Sequence, residues 1–243
     1  MLGGSTGDAG MTTQPRPLMA AVQSLIILAV AWVVSQLISP AQAVTGDLAI
    51  KLLFLGRMLL LLALATGFLR MRGLSWADTG LRRPRWGRFA LAVPLGLVAC
   101  ALAATASTLI FARAGLPAPG YQVFTPIRGH FDQYLFWLLP VTWGSAALGE
   151  ELIFRGFVMN ALEAVLGASR GVLTLLAILL QAAIFGLLHI YLGPAGAANA
   201  AAIGLVLGGV WLASGRNLWA CIVIHGLIDS MAMTAIYFGG MSH

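Results

Sequence analysis

The sequence predicts an all-α membrane protein, a polytopic bundle of about seven transmembrane helices (six to eight). Hydrophobic residues make up 60% of its 243 residues and charged residues only 9%, and the mean hydropathy is +0.92. A soluble domain of this length needs far more polar surface to face water. The apolar runs are long, do not alternate with polar residues and are rich in Leu, Ala and Gly. That pattern favours helices over the strands of an outer-membrane barrel.

Seven segments come close to the length of about 20 apolar residues that a helix needs to cross the bilayer core. Their predicted limits are residues 18–39, 48–69, 89–111, 133–166, 171–192, 197–214 and 218–238. Residues 1–17, rich in Gly, Thr and Pro, are predicted to form a flexible tail. The stretch "SPAQA" (Ser39 to Ala43) resembles a signal-peptidase site. We expect the first helix to be retained, because its apolar run exceeds the roughly 7–15 residues of a signal peptide.

The net charge of +6 is concentrated in one short connection, which predicts the topology. Residues 70–88 contain six arginines, and short arginine-rich loops stay in the cytoplasm. This predicts that the N-terminus lies inside and that residues 112–132 and the C-terminus lie outside. We expect the membrane to be the inner or cell membrane of a prokaryote. The same arginines are suited to contact anionic lipid in the bilayer. Because the charge is confined to this loop, it does not indicate a nucleic-acid partner.

Charged side chains within the apolar segments need an explanation, since each costs about 2.5–3.5 kcal/mol to insert. Lys51 lies near a helix end, where its ammonium can reach the headgroup region. Arg57 lies deeper, where it either lines a cavity or pairs with an acid. Glu163 is expected to be solvated near the inner end of the fourth segment.

The remaining charged and titratable groups form pairs at helical spacing. Glu151 and Arg155 are four residues apart, so they share a helix face and can neutralise each other. Glu150 is rotated by about 100° from its neighbour and stays free. His225 and Asp229 are also four residues apart, close enough for the carboxylate to orient the ring. Taken singly, each pair is equally typical of a satisfied contact between helices.

The distances along the chain predict that these groups meet. Glu150 and His189 both lie about 27–30 Å from the turn that joins the fourth and fifth segments, at 1.5 Å per residue, so they are level. Phe185, one turn before His189, can pack its ring on the imidazole. We expect the fourth, fifth and seventh helices to bring these side chains around one site in the inner half of the bilayer.

Three motifs occur in order within the apolar segments: "EELIFR" (EExxxR), "FGLLH" (FxxxH) and "HGLID" (HxxxD). Together they resemble the CAAX protease and bacteriocin-processing family, also called the Abi family, whose eukaryotic relatives are the Ras-converting CAAX prenyl proteases. The similarity covers residues 133–243, the expected catalytic core. Residues 18–132, which include the arginine-rich loop at 70–88, form the N-terminal helices and carry no motif of the family.

The resemblance implies an intramembrane endopeptidase with a polar cavity open to the cytoplasmic side. By motif position, Glu150 and His189 would activate a water molecule that attacks a peptide carbonyl. His225, with the residue four positions later, would stabilise the oxyanion. Donors preset around a developing oxyanion are worth about 3–4 kcal/mol each in such reactions.

One position departs from the family pattern. The third motif ends four positions after His225. That position is most often Asn in the prenyl proteases, and here it is Asp229. An ionised carboxylate beside an oxyanion opposes catalysis, so we expect Asp229 to accept from His225 and hold that ring in place. The resemblance assigns Glu151 and Arg155 a supporting role.

A zinc site is the alternative to a metal-free mechanism. Glu150, His189 and His225 supply the ligand types of a catalytic zinc shell. However, no HExxH motif occurs and the three residues lie on separate helices, so we favour a glutamate-type enzyme without a cofactor.

Two other functions stay open at this point. A bacteriocin-immunity or scaffold protein could keep the site for structural reasons, and carboxylates and histidines at membrane depth also serve proton-coupled transporters. The complete set of motifs favours an enzyme, and the absence of a repeated half in the sequence argues against a transporter. The expected partner is a peptide or a membrane-associated protein, with or without a lipid anchor.

Overall fold

The computed structural model describes residues 17–37, 48–167 and 171–240, and these ranges contain seven helices and no strand. The predicted all-α fold is therefore confirmed. The helices are α1 (Pro17–Leu37), α2 (Leu48–Met71), α3 (Trp86–Arg113), α4 (131–166), α5 (Val172–Leu187), α6 (Gly193–Ala213) and α7 (Leu218–Tyr237). Of the predicted tail only Pro17 is described, at the start of α1, and the "SPAQA" stretch lies outside the described residues.

Five of these helices are long and apolar enough to cross a bilayer: α1, α2, α3, α6 and α7. The fifth predicted segment, residues 171–192, contains a helix of only 16 residues, α5. At 1.5 Å per residue α5 is about 24 Å long, shorter than the bilayer core of about 30 Å. The fold is consistent with a helical membrane bundle, in which α5 by itself is too short to span the apolar layer.

Helix α4 has an unusual backbone over most of its length. Its two ends, Phe131–Phe136 and Met159–Leu166, are α-helical. The sections Trp137–Glu150 and Leu152–Val158 between them are π-helical, with hydrogen bonds that reach back five residues. Such wide turns are rare and are frequently found at functional sites. The regular 3.6-residue spacing of an ordinary α-helix, which the sequence analysis assumed, therefore holds only at the ends of α4.

Helix α4 lies at the centre of the bundle. Its described neighbours are α1, α2, α5 and α7, and two apolar clusters enclose it. One cluster packs α3 and α6 against α7 around the buried Trp211 and Leu218. The other packs α1 and α2 against α4 around Ile27 and Phe157. The predicted site residues of α4 are therefore enclosed by helices on most sides.

The arginine-rich loop is tied to the turn between α6 and α7 at one end of the bundle. The Leu218 amide donates to the Gly80 carbonyl at 3.1 Å, and Arg82 Nη2 donates to the Gly215 carbonyl at 3.1 Å. Glu163, expected to be solvated, instead forms an ion pair of 2.7 Å with Arg216 of this turn. This grouping agrees with the prediction that these connections lie on one side of the membrane.

The opposite end of the bundle is formed by the connection between α3 and α4. The Gly120 amide donates to the Leu192 carbonyl at 2.9 Å, and the Gly129 amide donates to the Tyr237 carbonyl at 3.1 Å. Lys51 lies toward this end, and the expectation that it reaches the headgroups is wrong. Its buried ammonium donates to Gln133 of α4, because a partner inside the bundle removes the need for lipid headgroups or water.

Candidate active site

A cavity of about 180 Å³ lies between α2, α4, α6 and α7. Its lining includes all four side chains predicted to be catalytic: Glu150, His189, His225 and Asp229. Apolar rings from Phe54, Phe124 and Trp137 line much of the remainder. The space exceeds the roughly 30 Å³ that one water molecule occupies in the liquid, so it can hold water together with part of a substrate.

Glu150 and His189 face each other across a gap. Glu150 Oε2 lies 4.0 Å from His189 Nε2, beyond the reach of a direct hydrogen bond. His189 Nδ1 lies 2.8 Å from the Phe185 carbonyl, and because a carbonyl oxygen only accepts, Nδ1 carries the hydrogen. In the neutral ring Nε2 therefore presents its lone pair to the carboxylate. Glu150 Oε2 has no hydrogen-bond partner among the described residues.

This arrangement places two acceptors at a distance suited to one shared donor. A water molecule that donates one hydrogen to each acceptor, with hydrogen bonds of about 2.8 Å, spans about 4–4.5 Å. The Phe185 ring packs on the imidazole with the ring centres 4.6 Å apart, as the FxxxH spacing predicts. Both the ring and the carbonyl of Phe185 thus fix the orientation of His189.

Glu151 connects the first and third motifs inside the protein. Its Oε1 accepts from Arg155 Nη1 at 2.6 Å and from His225 Nδ1 at 2.8 Å, and the side chains of Glu151 and Arg155 are fully buried. Arg155 Nη2 donates to the Gly204 carbonyl of α6 at 3.1 Å, and its guanidinium lies 4.9 Å over the Phe185 ring. The predicted pair of Glu151 and Arg155 is present, and the contact with His225 was not predicted.

His225 is held between two carboxylates. Nδ1 contacts Glu151, and Nε2 lies 3.3 Å from Asp229 Oδ2 at the cavity wall. Since carboxylate oxygens accept, both ring nitrogens carry hydrogens when both contacts are hydrogen bonds. The ring that faces the cavity is then a cation with a donor at Nε2. Asp229 was expected to hold the ring by itself, whereas the buried Glu151 makes the shorter contact.

The comparison with known families supports the same assignment. Residues 132–231 match a family model described as type II CAAX prenyl endopeptidase, Rce1-like. This part of the chain is therefore similar to the CAAX prenyl endopeptidases. The matched region contains all three motifs, and it supports a CAAX-type intramembrane endopeptidase whose substrate is a peptide or protein in a membrane. No curated protein and no solved structure gives a significant match.

His189 lies outside the regular helix, contrary to the prediction. Helix α5 ends at Leu187, and the His189 amide donates to the Gly186 carbonyl three residues back. A short 3₁₀ turn, Ile190–Leu192, follows. The tightened turn aims the imidazole into the cavity, and apolar composition alone cannot reveal where α5 stops, because Ile190, Tyr191 and Leu192 continue the apolar run.

The cavity lies in the half of the bundle away from the arginine-rich loop. Its wall includes Tyr121 and Phe124 from the connection between α3 and α4, together with Leu192 and Met233, all near the opposite end. The expectation of a site in the same half as the arginine-rich loop is therefore wrong. The distance of Glu150 and His189 from the turn between α4 and α5 predicts that they are level with each other, but it does not fix which half of the bilayer contains that level.

The alternative zinc site does not fit the arrangement of ligands. Among the described residues no group of three His, Cys, Asp or Glu side chains is close enough to hold one metal ion. Of the three proposed ligands, His225 has both nitrogens directed at carboxylates, and Glu150 and His189 are 4.0 Å apart. We therefore derive no step through a metal.

The cavity lining also includes polar side chains outside the motifs, among them Arg57, Tyr121, Tyr191 and Asn199. The sequence analysis predicted that Arg57, a charge deep in its helix, either lines a cavity or pairs with an acid. In the structure it lines the cavity. Tyr121 lies in a loop and Tyr191 in a short turn, so no helical spacing could assign them to the site. They reach it only through the tertiary packing of the loops around α5 and α6.

Proposed function

We propose that this protein hydrolyses a peptide bond of a membrane-associated protein or peptide with a water molecule activated by Glu150 and His189. The observation that carries the proposal is the pair of acceptors 4.0 Å apart at the cavity wall. One carboxylate oxygen and one imidazole lone pair can bind the two hydrogens of a single water molecule. The oxygen lone pairs of that water are then free to attack a carbonyl carbon that enters the cavity.

The chemical steps follow from the positions of the side chains. Glu150 takes a proton as the water oxygen bonds to the carbonyl carbon, and the carbonyl oxygen becomes an oxyanion. His225, with hydrogens on both nitrogens, donates from Nε2 to that oxyanion. Glu150 then returns the proton to the amine as the carbon–nitrogen bond breaks, so a carboxylic acid and an amine leave and Glu150 is again a carboxylate. Positioned donors of this kind contribute most where water is excluded.

Glu151, Arg155 and Asp229 support this reaction through His225. Glu151 fixes the ring by its contact at Nδ1, and Arg155 balances the charge of Glu151 in the interior. Asp229 contacts the ring nitrogen that faces the cavity. These residues act as positioning residues, because none of them needs to touch the substrate for the reaction to proceed.

The proposal is tested by comparing membranes that contain the wild-type protein with membranes that contain Glu150→Ala. Peptide N- and C-termini are read by mass spectrometry in both. We expect at least one pair of termini to disappear in Glu150→Ala, because loss of a general base lowers the rate by about 10²–10⁴-fold. Glu163→Ala is the matched control, since it removes another carboxylate of α4 that pairs with Arg216 away from the cavity.

Two outcomes contradict the proposal. Identical sets of termini in wild type and Glu150→Ala would favour a scaffold or immunity function. Cleavage that a zinc chelator abolishes and that added zinc restores would favour the metal mechanism over the glutamate mechanism.

A further inference from the structure

Arg57 is a charged residue in an apolar helix that the proposed reaction does not use. It lies on α2, within a stretch that is long and apolar enough to span a membrane, and outside the region that matches the family model. It lines the main cavity and also a small neighbouring cavity of about 30 Å³. Glu150, His189 and Tyr191 line both of these spaces as well, so Arg57 borders the site on two sides.

Among the residues that the structure describes, Arg57 has no carboxylate partner. Its Nη1 donates to the Ser35 hydroxyl at 2.8 Å, and that hydroxyl donates in turn to the Ala31 carbonyl at 2.6 Å. Its Nε is buried without a hydrogen-bond partner. The guanidinium lies 5.7 Å from the centre of the Phe54 ring. A neutral hydroxyl and an aromatic face hold the side chain in place, and no carboxylate of the described residues forms an ion pair with its charge.

The acidic residues of the site do not supply the missing charge. Glu150 shares both cavities with Arg57, but no ion pair within 4.0 Å joins them, and the described ion pair of Glu150 is with His189. Glu151 is occupied by Arg155 and His225, and Asp229 contacts His225. An anionic group that enters the cavity therefore finds one open cation on its wall.

We propose that Arg57 binds a carboxylate of the peptide substrate and so selects substrates that carry one near the cleaved bond. The carboxylate is the anionic group that peptides carry, either at the C-terminus or on an Asp or Glu side chain. Guanidinium groups bind carboxylates through two parallel hydrogen bonds, and burial strengthens that contact. The Phe54 ring beside Arg57 and the rings of Phe124 and Trp137 in the same lining give this contact apolar surroundings. This inference rests on the proposed peptidase function.

The test uses fluorogenic peptides that span the cleavage site located by mass spectrometry. One peptide ends in a free carboxylate and its partner in a carboxamide, and further peptides carry Asn or Gln in place of each Asp or Glu. Each is assayed with wild type, Arg57→Gln and Arg57→Lys. For wild type we expect one of the substitutions to lower kcat/KM by about 10–100-fold, chiefly through KM, the range of one charge-assisted hydrogen bond.

The two variants of Arg57 test whether this residue causes the preference for the peptide that carries the carboxylate. Arg57→Gln is expected to cleave the acid and the amide with similar kcat/KM, and Arg57→Lys to keep part of the preference, because it keeps the charge but not the planar fork. The ratio of kcat/KM for the acid to kcat/KM for the amide is measured on one preparation of each variant. A lower fraction of folded protein therefore affects both values equally and leaves the ratio unchanged. Which peptide pair shows the effect distinguishes a terminal carboxylate from a side-chain carboxylate.

Several results would overturn the inference while the peptidase function stands. Wild type that cleaves every acid and amide pair equally would remove the need for a carboxylate site. Arg57→Gln that keeps the wild-type ratio would place the recognition elsewhere. An equal loss of kcat on acids and amides alike would make Arg57 a residue that supports the fold or Glu150. Failure of the peptidase function itself would appear earlier, as termini that do not depend on Glu150.

Discussion

Replacing Glu151 by Gln removes the negative charge that two buried partners share. Glu151 Oε1 accepts from Arg155 at 2.6 Å and from His225 at 2.8 Å, and no solvent reaches Glu151 or Arg155. Gln keeps the size of the side chain and one acceptor oxygen. The substitution therefore leaves the guanidinium of Arg155 buried beside a neutral amide, with the Gly204 carbonyl and the Phe185 ring as its other partners and no negative charge to balance it.

The expected loss of stability is large because the remaining charge has no compensation. Removing one member of a buried ion pair costs about 3–5 kcal/mol. At about 2–4 °C per kcal/mol for a chain of this length, the melting temperature should fall by roughly 6–20 °C. The pair of Glu163 and Arg216 is a suitable comparison, since its side chains are 12% and 33% exposed. Glu163→Gln should cost about 1 kcal/mol or less.

The two cysteines of the chain provide the assay. Cys100 and Cys221 are both free and buried, so a thiol-reactive fluorophore labels them only as the protein unfolds in detergent. Melting curves are compared for wild type, Glu151→Gln, Glu163→Gln and Glu150→Gln. Glu150→Gln should melt close to wild type, because Glu150 Oε2 makes no hydrogen bond among the described residues.

Two outcomes of the melting experiment would contradict the expected role of Glu151. If Glu151→Gln melts within 2 °C or so of Glu163→Gln, about the effect of 1 kcal/mol or less, the buried charges do not stabilise the link between α4 and α7. If Glu150→Gln melts as low as Glu151→Gln, then Glu150 has a structural role and its freedom to bind water is in doubt.

Two further predictions concern Asp229 and the orientation in the membrane. Asp229→Asn should lower kcat if Asp229 keeps His225 charged and in place, measured with the peptides described above. Retained or higher activity would show that the charge is dispensable. For the orientation, Gly240→Cys should react with a membrane-impermeant maleimide in intact cells and Arg83→Cys should not, because the arginine-rich loop stays cytoplasmic. The opposite labelling pattern would place the cavity in the cytoplasmic half, as the resemblance to the family implies.

The sequence predicted the fold class and the composition of the site through local physical rules. Apolar runs of sufficient length specify membrane helices. Glu151 and Arg155 are four residues apart, a spacing that places both on one face even of a distorted helix. The approach of Glu150 to His189 followed from their similar distance to one turn. These features depend on residues close in sequence or on the length of the chain between them.

Other features could not be read from the chain. The contact of Glu151 with His225 joins residues 74 positions apart, and the place of Arg57 in the cavity depends on how α2 packs against α4. The half of the bundle that holds the cavity depends on how the connection between α3 and α4 packs against α6 and α7, which residue types alone do not reveal.

The amino-acid sequence by itself thus determined that the chain is a helical membrane protein and which titratable side chains are candidates for a site. Only the tertiary structure decided which carboxylate makes the shorter contact with His225, which half of the bundle contains the cavity and which cation has no carboxylate partner among the described residues. The physical reason is that length and hydropathy act along one segment at a time. Ion pairs between helices and shared cavities depend on how several segments pack together.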